Sequence, residues 1–505
     1  MMNHTATQII GVLALSFMTT CSCKAEDITI RYKGETAKVT QKVRDSVNVS
    51  VEGAQVNIES LYTDHKLTLK LTGNSDDGQL NLKTAGKAKI TLDGLTLTSQ
   101  EGAPICLKNK KKAEVSVAKG TNNSLTITAC NDTANHKAAA IWAKDKLLLS
   151  GKGVLNVVST GDGCRGIKAK KDITIEDLTL NVTTSGNNLG EKPFSFGGPG
   201  GPPDFNGEMP DFGNFPPFGN DSIKPGDFPK PPFGGPPPFG NDSLRRDGLP
   251  DFDGEMPDFG GGFGGKHKYV ASTKGIASKG KITINSGNVT VRTNTAGAEG
   301  IEGKEGILFN GGNVDVLATD DAVNANATIE FNGANVIARS MGNDAVDANP
   351  EGGFFPPSFN PGEGREVSPA IIIRGGTVYA WSQVGPPEEG LDSDMAPLAI
   401  EGGTVFTVGG FIGDMPSVPT NETAKQPTVL ITGLNIVTDE PINITDESGK
   451  TLFTVTIPFA LRGSATLIAN PAFKLGSTYT LKTKGYEKTF TLSDTFTAFP
   501  HQFGR

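Results

Sequence analysis

Cysteine is scarce in this 505-residue chain, with five in all, two of them close together as Cys21 and Cys23. The other three, Cys106, Cys130 and Cys164, are odd in number and irregularly spaced. That excludes a zinc site and a disulfide framework, leaving thiols with at most one bridge. Histidine and tryptophan are as thin, at five and two residues, and no Ser-His-Asp set, phosphate loop or CxxC motif is present. Positive charge is not in excess. Forty-seven Lys and Arg face 55 Asp and Glu, a net −8 without a basic cluster, which argues against nucleic acid as a partner.

Long apolar runs are missing too. Residues 9–18 form a stretch too short to span a bilayer, and the small residues and cysteines after it make residues 1–25 read as an export signal. Cleavage after Ala25 would release a secreted protein, whereas lipidation of Cys21 or Cys23 would leave a cell-surface lipoprotein. Membrane contact is therefore expected only through a lipid anchor, and the protein is expected to be a monomer.

What the chain has instead is a repeat. E-G-I-E-G-K at 299–304, D-A-V-N-A-N at 321–326, D-A-V-D-A-N at 344–349 and E-G-L-D-S-D at 389–394 share one pattern: carboxylate, small, aliphatic, oxygen-bearing, small, polar. The first three start 22 and 23 residues apart, a period that points to stacked repeats. Each copy is followed by a short apolar strand, a Gly pair and an alternating strand, as in G-I-L-F-N-G-G-N-V-D-V-L-A-T after Glu305, and no unit has helical periodicity. Ile141, Ile167 and Ile276 open earlier copies. Glycine at the corners permits the positive φ of a sharp turn, which accounts for part of the 64 glycines. One coil cannot bury its own apolar stripe, so stacking has to make the core. A sandwich would not keep so constant a period, and propeller blades need about 40 residues or more. The expected fold is all-β, a parallel β-solenoid over residues 26–418.

Two regions break the pattern. Residues 187–270 are rich in Gly, Pro and Phe and repeat G-E-M-P-D-F-G (207–213 and 254–260), which marks a low-complexity insertion in one solenoid. From residue 419 the period gives way to alternating strands, expected to form a small C-terminal all-β unit that covers the open edge.

Alternation of faces points Ile301, Val323, Val346 and Leu391 inward and stacks Glu302, Asn324, Asp347 and Asp392 outward, about 4.8 Å apart. A carboxylate ladder that close repels itself unless neutralised, and all-oxygen ligands suit calcium. Asp320, Asp321, Asn324, Asp344 and Asp347 are the leading ligands, then Glu299 and Glu302, with Glu389, Asp392 and Asp394 as a possible second site. The alternative is a solvated acidic face without an ion. Along the same columns the early coils carry Arg165, Lys168, Lys170, Lys274, Lys279 and Lys304, so the face changes from basic to acidic. If the chain were a lyase of uronic acid polymers, Lys274, Lys279 or Lys304 would have to act as base, which needs a desolvated or crowded lysine. Trp142, Tyr379 and Trp381 fall at outward positions, where flat rings could hold sugars, although packing is the commoner role of a strand aromatic.

The phrases T-D-D-A-V-N-A, G-N-D-A-V-D-A-N and G-I-K-A-K-K-D-I-T-I resemble the exported β-helix carbohydrate-binding domain-containing proteins, a cellulose- and pectin-binding family similar in fold to pectate lyases. The resemblance covers about residues 60–490. It implies a right-handed parallel β-helix with bound calcium, polysaccharide as partner and no established catalysis. Ala277 and Lys304 depart from the acidic and Asn-like residues of the pattern, which sets the first coil of the ladder apart. The expected function is polysaccharide binding, of acidic or cellulosic glycans. A calcium-dependent lyase and a structural cell-surface adhesin are the alternatives.

Overall fold

The computed structural model describes residues 26–43, 45–131, 137–190, 269–350, 368–393, 396–410 and 417–499. The expected export signal, its Cys21 and Cys23, and nearly all of the insertion lie outside the described residues. So does Asp394.

Within them the chain is all-β and parallel-stacked. One series of strands runs in chain order through Ala139–Ala143, Arg165–Ala169, Lys274–Ser278, Glu299–Gly303, Val323–Ala325, Val346–Ala348 and Leu391–Asp392, each hydrogen-bonded in parallel to the next. A second series includes Ile282–Ile284, Ile307–Phe309, Ile329–Phe331, Ile371–Ile373 and Leu398–Ile400. The third includes Gly287–Thr293, Asn313–Ala318, Asn335–Ser340, Thr377–Ser382 and Thr404–Val408. Each repeat therefore supplies one strand to each of three faces, a solenoid-like stack. Ile167 pairs with Ile276 and Ile173 with Ile282, so the register survives the intervening residues.

The register is held from inside. Ile301, Val323 and Val346 are wholly buried and stack directly on one another, and Phe309 lies flat on Phe331 with ring centroids 4.9 Å apart. A one-residue slip would turn this whole row into water. Corner sterics add a second constraint. Gly376 has φ 81°, and a Cβ there would lie 2.1 Å from the carbonyl oxygen of Ala334 in the preceding coil. The glycine before the inward aliphatic at Ile167, Ile276 and Ile301 is constrained by packing too, since a Cβ on Gly300 would sit 2.4 Å from Val316 Cγ1.

The stack ends on antiparallel structure. Thr404–Val408 pairs with Leu461–Ala469, which pairs in turn with Thr428–Ile436. A separate four-stranded sheet holds Pro441–Asp446, Thr451–Thr456, Thr478–Thr483 and Tyr486–Thr491. Pairing the last coil in this way covers backbone groups that would otherwise recruit another strand. The terminal strands also pack a second apolar core against the outside of the last coils, through Trp381, Phe406, Val429, Ile431 and Ile468. Among the described residues no helix is long and apolar enough to cross a membrane.

Candidate functional site

The first strand series carries the repeat hexapeptides, and its outward side is a single ladder. Trp142 lies beside Lys168, Lys168 beside Ala277, Ala277 beside Glu302, and then come Asn324, Asp347 and Asp392 in turn. The stacking expected from the sequence is therefore present residue for residue. The ladder has three electrostatic sections.

The late section is acidic. Asn324 donates through Nδ2 to Asp321 Oδ2 at 2.8 Å and to Asp347 Oδ2 at 2.9 Å. Asp321 also accepts from the Asp344 backbone N–H at 3.2 Å, Asp344 accepts from the Glu389 backbone N–H, and Asp320 accepts from Asn343 Nδ2 at 3.0 Å. Burial pushes Asp321 and Asp344 well above the usual carboxylate range. The charges of Asp347, Asp320 and Glu299 add to the effect on Asp321, and those of Asp392, Asp321 and Asp347 to that on Asp344. Burial and Asp392 raise Glu389 likewise, and Glu388 reaches about 7. Glu388 was not among the residues chosen from the sequence. Its signal was there, a second glutamate beside the first position of the fourth hexapeptide.

These donors fit a hard cation by chemistry, since they are carboxylate and amide oxygens from successive coils. Among the described residues, however, no three His, Cys, Asp or Glu side chains converge closely enough to hold a metal as they stand. Mutual repulsion explains why like charges would stand apart without a counter-ion.

The middle section neutralises itself. Lys274 is ion-paired to Glu299 at 2.8 Å and to Glu302 at 2.6 Å, and Lys304 pairs with Glu302 as well. Burial opposes the Glu302 charge, but the two lysines outweigh it and hold Glu302 at about 2. Burial, helped by the charges of Glu302 and Asp320, raises Glu299 despite its own pairing with Lys274. Burial also works against Lys274, yet Glu299 and Glu302 win and keep it above an ordinary lysine. This corrects the expectation that Lys274 or Lys304 could serve as base: both are engaged by a carboxylate, and a proton acceptor must first be neutral. Lys279 is exposed.

The early section is basic. Arg165 and Lys168 are 7% and 6% exposed, and both line a cavity of about 500 Å³ together with Lys274, Lys279, Lys304 and Glu302. Burial, then the charges of Arg165 and Lys279, depress Lys168 to about 7.

The aromatic candidates need correction. Trp381 does face away from the solenoid core, in line with Arg339 and Leu317, but it is wholly buried beneath the C-terminal unit. Tyr379 stacks beside it at 6.2 Å and is packed against the same cluster. Trp142 is 2% exposed, packed with Ala103, Cys106 and Ala139, and Lys170 Nζ lies 5.8 Å from its ring centroid. A sugar platform needs an open ring face, which Trp142 and Trp381 do not offer, while Tyr379 is half-buried. Cys106, Cys130 and Cys164 form no disulfide, so the single bridge left open by the sequence is not formed.

Comparison with known proteins bears on the same coils. Residues 52–192 and 263–345 match the model of a family described as carbohydrate-binding domain-containing protein, so the resemblance carried by the repeat motifs holds over the coils up to residue 345. A protein of that same description from Acetivibrio thermocellus is 27% identical over 163 residues, 31% of this chain. The match spans about half of that relative's own length, 54%. A solved polysaccharide lyase-like protein from C. thermocellum, a gadolinium derivative, is 17% identical and superimposes with a TM-score of 0.40 over 65% of this chain and 95% of its own.

Proposed function

We propose that this chain is an exported, calcium-binding protein that holds polysaccharide along the outward ladder of a right-handed parallel β-helix, residues 26–418, with residues 419–505 as a capping unit. Two expectations of the sequence enter here as part of the reading. One is export, as a secreted protein or a cell-surface lipoprotein anchored through Cys21 or Cys23. The other is calcium, held by Asp320, Asp321, Asn324, Asp344 and Asp347, with Glu299 and Glu302 next and Glu389, Asp392 and Asp394 as a second site. Right-handedness is carried over from the resemblance to the β-helix carbohydrate-binding family.

The observation that carries the reading is the parallel register that puts Glu302, Asn324, Asp347 and Asp392 in one column. The burial that raises Asp321 and Asp344 makes an uncompensated ladder costly and a bound cation favourable. Calcium, when bound, supplies the positive charge that the late coils lack and a point of attachment for sugar oxygens. The match to carbohydrate-binding domain-containing proteins over residues 52–192 and 263–345, which include Glu302 and Asn324, supports polysaccharide as the partner.

The test is a calcium titration by calorimetry on residues 26–505, followed by polygalacturonate and by retention on insoluble cellulose. Asp321→Ala/Asp344→Ala serves as the comparison. The reading expects calcium binding by the wild type alone, glycan retention, and no rise in ultraviolet absorbance from unsaturated sugar. Accumulating absorbance would replace it with the lyase reading, and no retention on any glycan would favour the adhesin.

A further inference from the structure

The early section of the ladder holds buried positive charge that the fold leaves without a counter-ion. Arg165 Nη2 donates to Ser272 Oγ at 3.1 Å, but Nη1 is buried without a hydrogen-bond partner. Glu302 and Glu299 favour the guanidinium only from a distance, and no carboxylate among the described residues forms an ion pair with it. Lys168, one strand turn along, forms none either, and its nearest charges are mostly like its own. Both groups line the same cavity, at about 500 Å³ within the range that encloses a small ligand. Of its charged lining groups only Glu302 is acidic, and that carboxylate is already shared by Lys274 and Lys304.

Burying one unpaired charge is costly, and burying an unpaired guanidinium beside an unpaired ammonium is more so. An apolar residue at either position would pack without that penalty. A stack that tolerates both gains something from them that is missing from the unliganded fold. A guanidinium edge with an open N–H next to an ammonium matches a planar or tetrahedral oxyanion.

We infer that the cavity between Arg165, Lys168 and Lys279 is an anion-binding subsite, distinct from the acidic ladder, which takes the carboxylate or sulfate of an acidic sugar. The inference rests on the polysaccharide reading above for the sugar, but the anion chemistry is the pocket's own. The two ends of one ladder then grip an acidic glycan in different ways: directly through cations in the early coils, and through a metal in the late ones.

The experiment uses residues 26–505 in EDTA, so that metal-mediated binding is removed. Calorimetry is run with galacturonate, oligogalacturonate, a sulfated oligosaccharide of similar length, and a neutral cello-oligosaccharide. Wild type, Arg165→Gln, Lys168→Met and the exposed Lys279→Glu are compared, with folding of each checked by its unfolding transition. The expected result is anion binding by the wild type that weakens with salt and falls at least 10-fold in Arg165→Gln and in Lys168→Met. Lys279→Glu should weaken it less. The two acidic oligosaccharides show whether carboxylate or sulfate is preferred. Acidic ligands that bind no better than the neutral one, or that bind all variants alike, would overturn the subsite. If galacturonate binds through Arg165 but no polymer is retained, the subsite stands and the polysaccharide reading falls.

Discussion

The early and late coils of the solenoid have the same backbone and opposite electrostatics. Arg165–Ala169 and Val346–Ala348 belong to one strand series, each with its aliphatic buried and its next side chain pointing out. In the early coils that outward position and its neighbours include Arg165, Lys168 and Lys279, and burial pulls Lys168 down to about 7. In the late coils they are Asp and Glu, and burial pushes Asp321 and Asp344 up. Desolvation penalises whichever sign is present. Between them, Lys274 meets Glu299 and Glu302 and the charges are matched. The comparison teaches that stacking concentrates charge regardless of its sign, and that on this ladder the sign change is where opposite charges meet.

The sharpest way to break this arrangement is at the junction. Glu302→Gln leaves Lys304 facing a neutral amide and Lys274 with Glu299 alone, and weakening the buried cluster from one side should cost roughly 1–3 kcal/mol in chemical denaturation. Adding Lys274→Met should recover a large part of the loss. A single variant as stable as the wild type would show that the middle section is not a neutralised junction.

At the acidic end the sign is opposite. Asp321→Asn/Asp344→Asn should raise stability in EDTA by on the order of 1–2 kcal/mol, because like buried charges are removed. Calcium should then raise the melting temperature of the wild type but not of the variant. A variant destabilised in EDTA would mean that its carboxylates are held by hydrogen bonds worth more than their repulsion.

The basic end makes a pH prediction. Lys168 titrates at about 7 in the folded chain and near 10.4 when unfolded. Between those values the unfolded state holds a proton that the folded state has released, so stability gains from Lys168 as pH rises through that window. Below pH 7 both states are protonated and the full penalty of the buried charge applies. Lys168→Met should therefore be more stable than the wild type at pH 6, with the advantage shrinking toward pH 10 in denaturation curves. An advantage that does not change with pH would mean that the lysine is not desolvated.

The smallest effect lies outside the ladder. Lys83 and Glu59 pair at 2.7 Å with both side chains open to solvent, so Lys83→Ala should change stability by less than about 1 kcal/mol. A larger loss would mean that exposed pairs hold this stack together as strongly as the buried junction does.

Much of this was legible in the sequence because the solenoid is almost one-dimensional. A hexapeptide repeated at 22 and 23 residues places Ile301 on Val323 and Glu302 on Asn324 without knowledge of anything distant. The same local logic locates the resumption of register at Ile276. It failed where distant segments meet. Trp381 alternates outward as expected, but the residues that bury it, such as Val429 and Ile468, come from the C-terminal unit. The pairing of Lys274 is not legible either, because periodicity gives the column of a side chain and not its rotamer, and it is the rotamer that brings Nζ to two carboxylates at once. Glu388 was passed over because it stands one residue outside the repeat.

By itself, then, the sequence determined the period, the inward and outward sets, and the change of charge along one face, because each depends on alternation within a strand and on parallel stacking of like on like. The tertiary structure decided which of those outward groups are buried, which are paired and which are left facing a cavity. Those properties depend on contacts between coils and with the terminal unit, and dielectric and distance across such contacts are set by no local pattern.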